Sequence, residues 1–163
     1  MRSALRGWCQ FHAGAVVVGA ALLLALVSCE APDTRFASPA ATYRTYQQAV
    51  RQGDFELLWS CYSDSYRHSL QGRRHDWLRD WQRKDGAARQ AEASREIAEE
   101  RVINGRIGYL LFDQTTLLSE HDSPFFYLMR DEAGWKITSH LDPSFQEELE
   151  RAISLGDLRL PDS

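Results

Sequence analysis

Beyond residue 38 the apolar positions first recur with a helical period and then alternate as strands do. Ser38-Pro39 sets a capping side chain before a proline at the first helical position. Tyr43, Tyr46, Ala49 and Val50 follow at helical spacing, with Arg44, Gln47, Gln48 and Arg51 on the other faces. Gly53 ends this helix and Asp54 caps a second, whose buried stripe is Phe55, Leu58, Trp59 and Tyr62. Asp64 opens a short helical turn that Gly72 stops, and 76–83 forms a further helical segment presenting Trp77, Leu78 and Trp81.

The period then changes. Residues 95–103 and 106–113 flank Asn104-Gly105, the strongest short-range signal for a type I′ hairpin. A second hairpin runs through 125–130, a turn at 131–134 and a strand over 135–141, where Trp135, Ile137 and Ser139 alternate with Lys136, Thr138 and His140. Asp142-Pro143 opens a last helix with Phe145, Leu149, Ala152 and Ile153 on one face. No repeat is visible. The order predicts an α+β domain: N-terminal helices packed on a curved antiparallel sheet, with a C-terminal helix.

The first residues follow a different pattern. Arg2 and Arg6 precede an apolar run over 13–27, and the first acid is Glu30. The run is shorter than the roughly 20 apolar residues of a membrane-spanning helix, and reads as a secretory leader. It ends in Leu26-Val27-Ser28-Cys29, which resembles the lipobox of bacterial lipoproteins. That resemblance implies removal of 1–28 and acylation of Cys29. Two or more acyl chains would anchor the protein stably to a membrane. Glu30 in place of an Asp after the cysteine leans towards an outer membrane facing the periplasm. Residues 29–38 then form a lipidated tether that, extended at ~3.3 Å per residue, lifts the domain ~30 Å from the lipid. The domain spans 39–158, and 159–163 are a tail.

Three patterns within 39–141 resemble the nuclear-transport-factor-2-like superfamily, the cone also built by ketosteroid isomerases. They are the helix ending in Val50-Arg51-Gln52-Gly53-Asp54, the hairpin Val102-Ile103-Asn104-Gly105-Arg106-Ile107, and the closing hairpin from Phe126 to Thr138 with Gly134-Trp135-Lys136-Ile137 on its second strand. The resemblance implies a cone that serves as an acid-base active site, a ligand pocket or a protein-binding surface.

Composition narrows this. Losing Arg2 and Arg6 with the leader takes the formal net charge from −4 to −6. An acidic module does not suggest nucleic acid as a partner. Cys9 leaves with the leader and Cys29 is acylated, so Cys61 has no partner within the chain and is expected as a buried, inert thiol.

Tyr62, Tyr66, Asp113, His121 and His140 are the residues an acid-base cone enzyme would draw on, but no family catalytic motif matches them. No catalytic residue is therefore assigned. His140 with Asp142, and Glu120 with Asp122, supply two metal-type ligands each and no third, so no metal or cofactor is expected. Arg73-Arg74-His75 reads as a solvated helix start. The most suggestive group is aromatic: Trp59, Tyr62, Trp77 and Trp81, with Trp77 and Trp81 one turn apart. They are expected either as core or as a surface for an apolar ligand or an envelope protein. The leading expectation is a lipid-anchored, non-catalytic binding or accessory domain. The alternative is a small lyase or isomerase with an acid-base residue inside the cone.

Overall fold

A computed structural model describes residues 33–70 and 73–158. The leader, Cys29 and residues 30–32, Gly72 and the tail at 159–163 lie outside the described residues. In chain order the elements are a 3-10 turn at Thr34–Phe36, α1 (Pro39–Gln52), α2 (Phe55–Ser60), α3 (Asp64–Ser69), α4 (Arg74–Arg83) and α5 (Gly86–Glu92). Then come β1 (Ile97–Ile103), β2 (Ile107–Phe112), a second 3-10 turn at Gln114–Thr116, β3 (Phe125–Asp131), β4 (Gly134–Ile137) and α6 (Pro143–Leu155). The fold is α+β, and its curved antiparallel sheet is a meander in the order β1-β2-β3-β4.

The local signals act as expected. Ser38 Oγ accepts from the Ala41 amide, Pro39 starts α1, and Gly53 closes it in the left-handed conformation at φ 66°. Asp54 accepts from the Leu57 amide and so caps α2. Asn104 (φ 45°) and Gly105 (φ 72°) make the β1–β2 turn with the positive φ pair a type I′ turn needs.

Alternation along the strands divides the sheet between two cores. Leu110, Phe112, Leu128, Trp135 and Ile137 pack with Tyr43, Tyr46, Ala49 and Val50 of α1 and with Leu58 and Trp81. Ile103 and Ile107 pack instead with Phe145 and Ala152 of α6, flanked by Tyr109, Tyr127, Met129 and Leu149. Thr42, which no apolar pattern marks, is fully buried because its Oγ1 donates to the Trp135 carbonyl at 2.8 Å and ties α1 to β4.

The structure departs from these expectations at several places, most of them where a long-range contact overrides local pattern. The tether expected over 29–38 is folded from Asp33 on, with Phe36 buried in the helix-side core. Residues 86–92 form α5, which has good intrinsic helix formers but no apolar stripe and buries none of its residues. The last strand stops at Ile137 rather than running to 141. Lys136 and Thr138, which alternate with Trp135 and Ile137, are buried as those two are. Tyr62 leaves the α2 stripe, because that helix ends at Ser60 and Tyr62 forms a parallel bridge with Ile137. Around it the Ser63 amide donates to the Ile137 carbonyl (2.8 Å) and the Ile137 amide to the Cys61 carbonyl (2.7 Å). The α2–α3 link thereby covers the outer edge of β4, where backbone groups would otherwise lack partners. Ile153, expected on the buried face of α6, is exposed; that face is Phe145, Leu149 and Ala152.

Candidate functional site

Trp59, Tyr62, Trp77 and Trp81 come together in one array. Trp77 on α4 sits at its centre, with ring centroids 5.1 Å from Trp59, 5.5 Å from Tyr62 and 6.0 Å from Trp81. Tyr66 extends the array by stacking on Tyr62 at 5.1 Å. Burial divides the members. Trp81 and Tyr62 belong to the core, while Trp59, Tyr66 and Trp77 are only partly covered. Two cations frame the array: the Arg74 guanidinium lies 5.3 Å from the Trp59 ring and Lys84 Nζ 4.5 Å from the Trp81 ring. Each also meets a carboxylate, Glu56 for Arg74 and Glu92 for Lys84. Arg74 is thus engaged with Glu56 and Trp59, while Arg73 and His75 are exposed at the start of α4.

Tyr66 also lines a groove of about 530 Å³ between α3 and the start of α6, together with Ser65, His68, Ser139, Leu141 and Asp142. Ser65, His68 and Asp142 are the residue types of a hydrolytic triad, but they are not wired as one. Ser65 Oγ donates directly to Asp142 Oδ2 (2.6 Å), and His68 Nδ1 lies against the Asp64 carbonyl (3.2 Å). The Asp142 carboxylate is fully used in structure. It also accepts from Thr138 Oγ1 (2.8 Å) and caps α6 through the Ser144 amide (2.9 Å). Asp142→Ala should therefore cost ~2–3 kcal/mol, measured by urea unfolding, because it removes a helix cap and strands two hydroxyl donors. Asp142→Asn should recover about half of that, since its carbonyl oxygen still accepts.

The other titratable candidates are dispersed. Asp113 caps the second 3-10 turn, and the Thr115 amide holds its carboxyl below the usual range. His121 and Glu120 are exposed on the loop before β3, and Asp122 pairs with Arg95 at 2.8 Å. His140 lies in the turn after β4, its ring tilted against Tyr127 with centroids 5.5 Å apart, so it shares no strand face with Asp142. Among the described residues no three His, Cys, Asp or Glu side chains gather as metal ligands. Cys61 is buried and unbridged; burial pushes its thiol up to about 12, and Sγ donates to the Leu57 carbonyl. The Tyr62 hydroxyl is likewise raised well above its ordinary value by burial.

Between α1 and the sheet the side chains form a cluster of rings. Tyr43 lies 4.9 Å from Phe112 and 5.1 Å from Phe126, and Tyr46 lies 5.7 Å from Phe126 and 6.5 Å from Trp81. Sequence reasoning missed a second aromatic strip on the other sheet face, where Phe125 stands 5.6 Å from Tyr109 and 6.2 Å from Tyr127. The i, i+2 spacing of Phe125 and Tyr127 carried that signal. It also missed the pairing of Lys136 with Phe36, for which no local signal exists.

Among the described residues no helix is long and apolar enough to cross a membrane. Comparison with known protein families, characterised proteins and solved structures finds no match to this chain.

Proposed function

We propose that this chain is a lipid-anchored bacterial envelope protein whose domain binds a partner protein or a small apolar ligand and carries out no chemistry of its own. The observation that carries the binding reading is the array of Trp59, Tyr66 and Trp77, three large rings left partly uncovered and continuous with the α3–α6 groove. Aromatic side chains held rigid by their neighbours are the anchors that binding surfaces use. The interior that an acid-base enzyme would keep open for substrate is occupied by Tyr43, Tyr46, Phe112 and Phe126, which weighs against the lyase or isomerase alternative.

Trp77→Ala is the direct test. Binding of an apolar fluorescent probe, or recovery of an envelope partner from solubilised membranes, should weaken about tenfold or more, a loss of ~1.4 kcal/mol or greater. Unchanged binding, or turnover of a small substrate abolished by a single Asp or His substitution, would overturn the reading. The anchor has its own test: Cys29→Ala should leave an unprocessed precursor that incorporates no labelled palmitate.

A further inference from the structure

The docking of residues 33–36 has a consequence for how an anchored domain would sit. Asp33 accepts from the Arg35 amide and pairs with its guanidinium at 2.7 Å. Thr45 Oγ1 donates to the Arg35 carbonyl (3.1 Å), fastening the turn to α1. Phe36 is 5% exposed. Lys136 Nζ stands 3.2 Å from its ring centroid and donates to the Ser60 carbonyl at 2.8 Å. Gly134 presses on it from the β3–β4 turn, so closely that a Cβ there would fall 2.4 Å from the Phe36 carbonyl oxygen. The segment is clamped by α1, by the last strand and by the link after α2.

We propose that this clamped turn sets the standoff of the domain, holding the Asp33 end and the β3–β4 turn against the lipid headgroups. The proposal rests on acylation of Cys29. Only residues 30–32 separate that cysteine from Asp33, and four residue steps reach at most ~14 Å. The interfacial zone itself is ~5–8 Å deep on each side of the hydrocarbon, so Asp33 stays within reach of the headgroups. The Gly134 turn packs on Phe36 and goes with it. The β1–β2 turn lies at the same end, where the Arg130 amide donates to the Arg106 carbonyl at 2.7 Å. The start of β3 lies ~20 Å away. There the 113–124 loop and its groove of about 520 Å³, lined by Gln114, Leu117, Glu120 and Asp122, face the aqueous compartment. Arg35 is already paired with Asp33, and Asp131 and Glu132 occupy the adjoining turn. Apposition is therefore covalent and steric, and insensitive to salt.

The test uses the full-length protein, expressed and processed in bacteria and reconstituted into phosphatidylethanolamine vesicles carrying a headgroup nitroxide. Fluorophores are placed singly at Ala133→Cys or Ser119→Cys; Cys61 is buried and Cys29 acylated, so neither competes for label. Quenching at position 133 should exceed that at 119 by about threefold or more, at low and at high salt alike. Inserting a Gly/Ser spacer of about 15 residues between Pro32 and Asp33 should erase the difference while leaving the fold and palmitate incorporation unchanged. Phe36→Ala should act in the same direction by undocking the turn, and the spacer variant keeps the test clear of any folding defect. Palmitate incorporation is read on every sample. Lipidated protein with equal quenching at the two positions overturns the apposition alone. Protein that incorporates no palmitate overturns the anchor and the apposition together.

Discussion

Gly134→Ala is expected to destabilise the domain by ~3 kcal/mol or more, seen as a large drop in the urea midpoint. Two costs add. Gly134 has φ 113°, a conformation that side chains with a Cβ avoid at a cost of ~1–3 kcal/mol. The new methyl would also lie 2.4 Å from the Phe36 carbonyl oxygen and 2.8 Å from Phe36 Cβ. The oxygen belongs to the backbone and cannot rotate away, so either the β3–β4 turn or the clamped 3-10 turn must move, and Phe36 then loses its place in the core. Gly53 provides the comparison. It too has positive φ, 66°, but nothing lies within 4 Å of its missing Cβ, so Gly53→Ala should cost only the conformational ~1–2 kcal/mol. Equal midpoints for the two variants would mean that the Gly134–Phe36 contact is not maintained in solution.

Alkaline solution is the second strong perturbation, and the domain should lose stability steadily from about pH 9 to pH 12. Burial pushes the Cys61 thiol from 9.0 up to about 12 and the Tyr43 hydroxyl from 10.0 up to about 12. It raises Tyr46 and Tyr62 as well. In each case the unfolded chain loses its proton first. Stability from these groups is whole below the unfolded values and is lost as pH climbs towards the folded ones. At ~1.4 kcal/mol per unit, Cys61 accounts for about 4 kcal/mol and Tyr43 for about 3 kcal/mol by pH 12. Lys136 acts in the opposite sense. Burial lowers its pKa from 10.5, so its contribution rises with pH over a window that ends near that value. One opposing group does not offset four. Urea midpoints from pH 8 to 12, followed with tyrosinate absorbance, measure the slope, and Cys61→Ala should flatten its first part. A midpoint constant from pH 9 to 11.5 would refute the account.

Much of the fold was legible because its signals are local. Ser38, Asp54 and Asp142 each bond amides two or three residues ahead, so their capping follows from sequence neighbours alone. Asn104-Gly105 turns because both residues tolerate positive φ. The aromatic surface was partly legible for the same reason. Trp77 and Trp81 lie one helical turn apart, whereas their meeting with Trp59 and Tyr62 needed α2 and α4 to pack together.

The clamped 3-10 turn shows where local reading stops. Residues 33–38 carry no period and a composition suited to a linker, yet Phe36 lies on a lysine 100 positions further along the chain. Lys136 itself alternates as an outward strand residue should. It is buried because the link after α2 crosses the edge of β4 and supplies the Ser60 carbonyl. The amino-acid order therefore set α1, α2 and α6 with their caps and the Asn104-Gly105 hairpin, since those depend on bonds and periods spanning a few residues. Only the tertiary structure decided that residues 33–36 dock on the domain, that the link after α2 bonds to the outer edge of β4 at Ile137, and that Tyr43, Tyr46, Phe112 and Phe126 cluster between α1 and the sheet. Those outcomes depend on which distant surfaces exclude water from one another, and no short stretch of sequence contains that information.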